Sequence, residues 1–566
     1  MSMSKNIARL AVTAGLTAAL SFGGVMAPAT MAFAENVAAP ANSITINKNA
    51  NNGSVKYKAY QIFEADVVDE TGKTGKTDKV VSNVEWAAGV EDKTQEAIIA
   101  AINEKQNGAL KATASAQDVA DWLTANITGT TNTTVLKDTD LLNTLAGLVA
   151  KNVTPTNPTN LTSTTDGSFA ADTKVSFDKS GYYLFLTDTG TLASDESKTG
   201  SKNTATSPIY AVVGAGDVEV TEKTSIPTVK KQVKDGKSNS VWADKADSQM
   251  GENIEYQLTG SVADNVDTFG TYYYEFHDEL SEGLTAAGNS IKVYAGLNRK
   301  TAKEVTTGFA KSVEGQSLTV KFDDLKTAVP SLSKDMKVFV EYTAKLDPDK
   351  ASKVVVGDEG NYNTVKLIYS NNPGYDSKGE SVPYTVRDYT YGIDVTKVGS
   401  DADSKGLEGV EFTLQEKDDT GNYITANGVK TTEMVKLKTD SNGKINVGGL
   451  DEGTYILKEV TPAPGYNNSA ANGVTFTIKR DSNQNNDTVT LENSKIEAAD
   501  GVVKDNSTTT SAGKLSFTIV DKKGSGLPLT GLNGVTFTWI AGGAVLCIGV
   551  AHLIRSRKQA EESEQE

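Results

Sequence analysis

Short β-strand patterns recur through most of this chain and constrain its fold more than any other feature. Between residues 224 and 525, hydrophobic and polar residues alternate over short runs that Gly, Asn, Asp and Ser turns separate. Alternation of this kind turns one face of each strand toward a core. The runs predict tandem immunoglobulin-like β-sandwiches; they cover 254–258, 272–276, 317–322, 337–342, 364–369, 410–414, 453–457, 474–478 and 515–520.

The part of the chain before residue 223 mixes strand and helix patterns. Strand-like alternation occurs at 44–46, 57–63, 175–177 and 181–186, and helical spacing of apolar residues occurs at 93–105, 117–127 and 138–150. We expect a mainly β protein whose N-terminal sandwich is decorated with helices. The predicted regions are region one (35–222), region two (223–392) and region three (393–525).

Composition narrows the chemistry available to the 566-residue chain. Its 56 Lys and Arg against 72 Asp and Glu give a net charge of −16, which argues against nucleic-acid binding through a basic face. With only two histidines (His277 and His552) and one cysteine (Cys547), the chain has too few such ligands for a zinc cluster and cannot form a disulfide framework. Aspartates at 401/403 and 418/419 lack EF-hand spacing and are interpreted as solvated turns. No metal or cofactor is predicted.

The N-terminus has the order of a secretory signal. Lys5 and Arg9 precede an apolar run, and Ala32-Phe33-Ala34 closes the segment. We expect residues 1–34 to be removed after Ala34; the alternative is a buried first helix.

The C-terminus joins a short motif to an apolar stretch. The motif is Leu527-Pro528-Leu529-Thr530-Gly531; apolar residues 532–554 and a basic tail at 555–566 follow it. Such a stretch is long enough for a membrane span with a cytoplasmic tail. The arrangement resembles the cell-wall sorting signal of Gram-positive surface proteins, the alternative being an ordinary single-pass protein. The resemblance implies that a sortase cleaves between Thr530 and Gly531, so that a transient membrane precursor becomes a peptidoglycan-anchored surface protein.

Two lysines follow a valine by two positions at the start of regions two and three. Lys231 follows Val229 and Lys397 follows Val395, so strand alternation places each lysine on the same face as its valine. If the valine is buried, the lysine is buried as well. The alternative is a strand-end lysine that extends to solvent, which is the commoner fate of lysine.

A second inward-facing charge occurs in region three. Tyr455, Leu457 and Glu459 share one strand face, and burial would keep the glutamate protonated. The segment 455–466 resembles the E-box of sortase-assembled pilins (Y-x-L-x-E-T-x-A-P-x-G-Y), although Val460 and Pro462-Ala463 depart from it. The resemblance implies that Glu459 promotes an isopeptide bond from Lys397 to a side chain on the last strand, either Asp521 or Asn493.

Region two carries a related pattern. The segment 276–285 resembles the F-x-D-x-L-S-x-G-L-T segment of the same family, which implies that Asp278 is the catalytic acid for Lys231. The carbonyl partner would be Asn363, or Asn371, since both share the parity of the apolar residues in 363–373. The alternative is that these asparagines only cap turns. The segment 363–373 resembles a late strand of the family, whereas the E-box bond of region three is expected to join the first and last strands.

The junction of regions one and two contains Val220-Thr221-Glu222-Lys223. It resembles the V-Y-P-K-type motif of polymerising pilins without the Tyr-Pro pair. The resemblance implies that Lys223 is an exposed amine that attacks the thioester at Thr530 of the next subunit. The alternative is an ordinary linker lysine.

Over residues 35–531 the chain resembles the major shaft subunit of sortase-assembled Gram-positive pili. The resemblance implies that the sandwiches are of the CnaA/CnaB type. It also implies a structural protein whose only catalysis is autocatalytic isopeptide formation. Its partners would be other copies in a covalent homopolymer, a class C-type pilin sortase, the housekeeping sortase, minor or tip pilins, and peptidoglycan. The alternative is a monomeric wall-anchored adhesin that binds a host protein, a host glycan or extracellular matrix. A hydrolase is disfavoured, because no paired acids mark a substrate groove.

Overall fold

A computed structural model describes the central part of the chain. It covers residues 42–525 except 50–51, 53–54, 70–78, 106–109, 131–132, 162–166, 193–202, 235–240, 375–376, 402–404, 482–489, 493–495 and 505–508. The predicted signal, sorting motif, membrane span and tail, together with Asn493, lie outside the described residues. Within the described ranges, no helix is long and apolar enough to cross a bilayer.

Region one combines two small sheets with three helices. The strands are β1 (Asn42–Asn47), β2 (Lys56–Asp69), β3 (Lys79–Trp86), β4 (Phe169–Ala170), β5 (Lys174–Ser176), β6 (Gly181–Thr187), β7 (Ile209–Val213) and β8 (Gly216–Thr221). The helices are α1 (Asp92–Lys105), α2 (Ala116–Asn126) and α3 (Leu141–Asn152). One sheet has the order β5-β1-β8, and the other has the order β3-β2-β6-β7 with β4 on β2.

The larger sheet of region one is buried on both faces. One face packs against the β5-β1-β8 sheet, with Ile44, Phe185 and Val218 in the shared core. The other face carries Leu184 and Val212 and packs against the apolar sides of the helices. This explains why β6 and β7 are almost continuously hydrophobic: a strand covered on both faces does not need polar alternation.

Region two is a sandwich of two large sheets. Its strands are β9 (Val229–Lys234), β10 (Lys245–Asp247), β11 (Asn253–Ser261), β12 (Tyr274–Leu280), β13 (Leu284–Ala286), β14 (Lys292–Gly296), β15 (Lys303–Glu304), β16 (Ala310–Glu314), β17 (Ser317–Phe322), β18 (Lys337–Leu346), β19 (Asn361–Ser370), β20 (Lys378–Glu380) and β21 (Tyr384–Tyr389), with one short helix α4 (Leu325–Ala328).

The two sheets of region two bury their alternating faces against one another. The first sheet has the order β15-β14-β18-β11-β9, with β13 on β18. The second has the order β10-β21-β19-β12-β17-β16, with β20 on β19. One apolar cluster, which includes Leu258, Phe276 and Leu367, fills the space between them. Lys231 lies on the first sheet, whereas Asp278 and Asn363 lie on the second.

Region three is a smaller sandwich. Its strands are β22 (Tyr391–Gly399), β23 (Glu411–Glu416), β24 (Tyr423–Ile424), β25 (Lys430–Thr431), β26 (Leu437–Lys438), β27 (Lys444–Leu450), β28 (Gly453–Thr461), β29 (Val474–Ile478), β30 (Ile496–Glu497), β31 (Thr509–Ser511) and β32 (Lys514–Asp521). One sheet has the order β27-β22-β32-β31 and the other β26-β23-β28-β29-β30. The first strand, β22, pairs in parallel with the last, β32.

The structure confirms the predicted fold class of tandem, mainly β sandwiches with helices in the N-terminal part. The strand predicted at 272–276 begins only at Tyr274, because the backbone NH groups of Tyr272 and Tyr273 donate to the side chains of Asp324 and Ser370 (both 2.9 Å). The exact region boundaries remain predictions.

Candidate sites of side-chain crosslinking

Lys397 is a fully buried lysine in the core of region three. It lies on β22 and, like Val395 two residues before it, points inward. Its side chain is 0% exposed, so the alternative of a lysine that reaches solvent is excluded here. A buried ammonium is costly unless acidic groups surround it.

Two carboxyl groups surround the Lys397 amine. Asp521, at the end of β32, contacts Nζ through Oδ1, and Oε2 of Glu459 on the opposite sheet lies 3.2 Å from Nζ. Both acids are 0% exposed in their side chains. Ser469 holds Asp521 in place, because its backbone NH and hydroxyl donate to Oδ1 at 3.1 and 2.6 Å. The three residues predicted from the sequence therefore meet at one point, with the amine beside the carboxyl group of Asp521.

The charges of this site leave one acid protonated near neutral pH. Burial raises the pKa of Glu459 to about 7; the ammonium of Lys397 opposes the rise, and the neighbouring Asp521 adds to it. A protonated Glu459 can hydrogen-bond to Asp521 and polarise its carbonyl. The site thus holds a potential nucleophile, a carbonyl acceptor and an acid in a water-free core.

Lys231 is the corresponding lysine in region two. It lies on β9 with a side chain that is 0% exposed, so here too the solvent-reaching alternative is excluded. Its Nζ is 5.1 Å from the ring centre of Tyr256 and 5.7 Å from that of Tyr342, and these two rings stack. The amine contacts Oδ1 of Asp278, which β12 of the opposite sheet supplies.

Asn363 joins this cluster from β19. It is fully buried, and its Nδ2 donates to the hydroxyl of Tyr342 at 2.6 Å. The same hydroxyl donates to Oδ2 of Asp278 at 2.6 Å and accepts a hydrogen bond from Nζ of Lys231 at 3.2 Å. The structure brings the three predicted residues together around Tyr342, a fourth residue that the sequence interpretation missed.

Burial weakens both charges of the Lys231 pair. Burial lowers the pKa of Lys231 to about 8, although Asp278 acts in the opposite direction. Burial likewise raises the pKa of Asp278, against the effects of Lys231 and Tyr342. Transfer of one proton from the ammonium to the carboxylate gives a neutral amine and a neutral acid. That pair is the state required for nucleophilic attack on an amide.

Asn371 is buried but lies at a different place. Its Nδ2 donates to the backbone carbonyls of Leu192 and Asn203. The backbone carbonyl of Asn371 accepts a hydrogen bond from the backbone NH of Ala205 at 2.7 Å. These partners belong to region one, so Asn371 connects the two regions and does not face Lys231. Of the two predicted partners, the structure places only Asn363 at the site.

The two sites differ in the strands that they connect. In region three, Lys397 is on the first strand, β22, and Asp521 is on the last, β32. In region two, Asn363 lies on β19, a late strand that β20 and β21 follow. A bond at the region-two site would join the two sheets across the core.

Lys223 is not the exposed linker residue that the sequence predicted. It is only 7% exposed, and burial lowers its pKa to about 8. The reason is that residues 222–224 pack back onto region one. The backbone NH of Lys223 donates to Thr206 Oγ1 at 2.7 Å, and buried Glu222 accepts from Tyr57 and Asn52.

Within the described residues, no group of three or more His, Cys, Asp or Glu side chains could hold a metal ion.

Comparison with known proteins finds a family similarity in the third region. The family model for the SpaA prealbumin-like fold domain matches residues 392–495, which contain Lys397 and Glu459. This agrees with the sandwich of region three and with the family resemblance inferred from its E-box.

Curated relatives are similar to part of the chain. The trypsin-resistant surface T6 protein of Streptococcus pyogenes serotype M6 is 29% identical over 301 residues, which cover 48% of this chain and 51% of the relative. Serine-aspartate repeat-containing protein C of Staphylococcus aureus is 31% identical over 182 residues, 30% of this chain and 17% of the relative. The chain therefore spans about half the length of the first relative and less of the second. The solved T6 backbone pilin of S. pyogenes aligns over 85% of this chain and 99% of its own, with 17% identity and a TM-score of 0.46.

The pKa of Glu459 predicts how pH controls the region-three site. Attack needs a neutral amine and two protonated carboxyls, hence two protons shared by the three groups. The three groups also hold two protons when Lys397 is an ammonium, Asp521 is a carboxylate and Glu459 is protonated. One of these two protons is lost when Glu459 ionises, as the pH rises through its pKa of about 7. A Lys397–Asp521 bond of the kind that the E-box resemblance implies should therefore form about tenfold more slowly per pH unit above 7. Chain that is made and kept unfolded in urea, before any crosslink has formed, can be refolded at a series of pH values while the Lys397-linked peptide is quantified over time; a rate that rises above pH 7 would contradict the prediction.

Proposed function

We propose that this chain is the shaft subunit of a covalent surface pilus, stiffened by one intramolecular isopeptide bond in region two and one in region three. The observation that carries the proposal is the pair of buried clusters inside the sandwich cores, in each of which a lysine amine contacts an acid. In region three the contacting acid Asp521 also supplies the carbonyl group. In region two the amide of Asn363 is linked to the amine and the acid through the hydroxyl of Tyr342. A structural role alone explains these clusters poorly, because apolar residues of similar volume generally stabilise a core as well as a buried ion pair does.

In region three the proposed reaction is a condensation. The neutral Nζ of Lys397 attacks Cγ of protonated Asp521, and a C–N bond forms. Glu459 donates its proton to the departing oxygen and receives one from the nitrogen, so that water leaves and Glu459 is regenerated. The product is an amide between β22 and β32.

In region two the proposed reaction is a transamidation. Nζ of Lys231 attacks Cγ of Asn363, the Cγ–Nδ2 bond breaks, and ammonia leaves with the proton that the lysine nitrogen loses. Asp278 first accepts the proton of the ammonium. The product is an amide that joins β9 to β19, and therefore one sheet to the other.

We further propose that subunits join through Lys223 and Thr530. Lys231 lies eight residues after Lys223, and Asp521 lies nine residues before Thr530. A force along such a polymer would enter region two next to β9 and leave region three at β32. The proposed Lys231 bond lies on β9 and the proposed Asp521 bond lies on β32, the two strands that would carry the force. A crosslink at these positions prevents the strand from being pulled away from its sandwich. The similarity to the trypsin-resistant surface T6 protein supports a location on the cell surface.

Peptide mapping of the protein released from the cell wall tests the crosslinks. We expect a branched peptide joining Lys231 to Asn363 with the loss of one ammonia, and another joining Lys397 to Asp521 with the loss of one water. Unbranched peptides at both sites would refute the crosslinks. The adhesin alternative predicts material of single-subunit size after the wall is digested, whereas a shaft subunit predicts a ladder of covalent multimers.

A further inference from the structure

We propose that Tyr342 is a catalytic proton relay in the region-two reaction. This role rests on the proposed Lys231–Asn363 bond and adds a residue to it. Among the residues that the structure describes, the hydroxyl of Tyr342 alone hydrogen-bonds to the amine, the acid and the amide nitrogen, at 3.2, 2.6 and 2.6 Å.

The hydrogen bonds around Asn363 indicate why a relay is needed. Its leaving nitrogen, Nδ2, donates to Tyr342, whereas its Oδ1 has no hydrogen-bond partner among the residues that the structure describes. Asp278 bonds to Lys231 and Tyr342. In this arrangement, the hydrogen-bonded path from the acid to the leaving group runs through the tyrosine.

The proton path follows from the change at Nδ2. An amide nitrogen is a donor, but after attack on Cγ it becomes a tetrahedral amine with a lone pair. The hydrogen bond to Tyr342 then reverses: the phenol gives its proton to Nδ2 and takes the proton that Asp278 received from the ammonium before attack. Asp278 is protonated again by the positively charged Lys231 nitrogen. The Cγ–Nδ2 bond breaks and ammonia leaves; Tyr342 again holds one proton, and Asp278 remains the neutral acid that it was at the moment of attack.

Two further properties of Tyr342 suit this role. Its ring stacks on Tyr256 with centres 5.2 Å apart, and the residue is 2% exposed, so the hydroxyl is held in place without competing water. Burial raises the pKa of Tyr342 well above its ordinary value, with the charge of Asp278 adding to the rise. The phenol therefore keeps its proton until the leaving group takes it.

Tyr342→Phe in the full chain tests the relay. When chain that was made and kept unfolded in urea, before any crosslink has formed, is refolded in detergent, we expect the linked Lys231–Asn363 peptide to form at least ~100-fold more slowly than in the wild type, the contribution typical of a positioned acid–base group. The Lys397–Asp521 peptide in the same molecules should form at the wild-type rate, which shows that the chain has folded. Tyr274→Phe is the matched control, because it removes another buried phenol hydrogen bond of the same core, to Ser261 O at 2.7 Å.

The outcomes separate the relay from the underlying bond. If Tyr342→Phe forms the region-two link at the wild-type rate, the relay is wrong and the bond stands. If the wild type forms no link, the proposed function fails instead. Should Tyr342→Phe not fold, replacement of Tyr342 by difluorotyrosine preserves the ring and hydrogen bonds while making the phenol more acidic. A changed rate then supports proton transfer by Tyr342, and an unchanged rate overturns it.

Discussion

Replacing Lys397 with alanine is expected to remove the mass deficit of one water that the wild type should show relative to its sequence. The same change is expected to lower the melting temperature of region three by roughly 10 °C or more. Two effects add in the same direction. The proposed bond to Asp521 cannot form, and the two buried carboxyls of Asp521 and Glu459 lose their cation. Removing one partner of a buried ion pair costs about 3–5 kcal/mol by itself.

Calorimetry and intact-mass measurement separate the loss of the crosslink from the loss of the buried cation when Glu459→Gln is compared with Lys397→Ala. That variant removes the acid but keeps Lys397 beside Asp521, so it should also lack the crosslink while losing less stability than Lys397→Ala. Lys458→Ala is the control, because Lys458 lies on the same strand as Glu459 but is exposed. Its melting temperature and mass deficit should match those of the wild type. If Lys397→Ala has the same melting temperature as the wild type, the site contributes nothing to stability and the crosslink proposal for region three is wrong.

Local sequence patterns were sufficient to predict the residues that strand geometry controls. Lys231 and Lys397 each follow a buried valine by two positions, and the structure buries both lysines completely. Glu459 shares its face with Tyr455 and Leu457, and it too points inward. In each case the period of two along a strand decides orientation, and that period can be read from a few neighbouring residues.

Residues whose role depends on distant packing could not be predicted in the same way. Strand alternation turns Tyr342 inward, but nothing local shows that its hydroxyl meets Asp278, Lys231 and Asn363 from three other strands. Asn371 has the same parity as Asn363 and is equally buried, yet it contacts region one. Such contacts depend on how sheets and regions are packed, which short-range patterns do not encode.

The burial of Lys223 shows the same limit at the junction. The motif around it predicted a position between two regions, where a linker lysine is normally exposed. The structure instead fixes its backbone to Thr206 and buries the adjacent Glu222 against Tyr57 and Asn52. Those partners come from distant parts of region one, so the four-residue motif carries no sign of them.

Replacing Lys223 with alanine is expected to abolish the covalent multimer ladder of wall-released protein. No other amine would then occupy the position that the proposed linkage to Thr530 requires. The multimers resist boiling in detergent because amide bonds connect the subunits, so their loss is directly visible by electrophoresis and immunoblotting. Monomeric protein should still reach the wall, since the sorting motif is unchanged.

Lys230→Ala provides a demanding control for this prediction. Lys230 is exposed and close in sequence, whereas Lys223 is 7% exposed. A sortase that used whichever lysine was accessible at the junction would be impaired by Lys230→Ala and would tolerate Lys223→Ala, and that outcome would overturn the assignment. Loss of the ladder only in Lys223→Ala would instead mean that the polymerising enzyme selects a lysine covered in the isolated subunit.

Because burial lowers the pKa of Lys223 to about 8, the amine would be partly neutral near pH 8. Opening of residues 222–224 away from Thr206 would then expose a nucleophile at the moment of subunit addition.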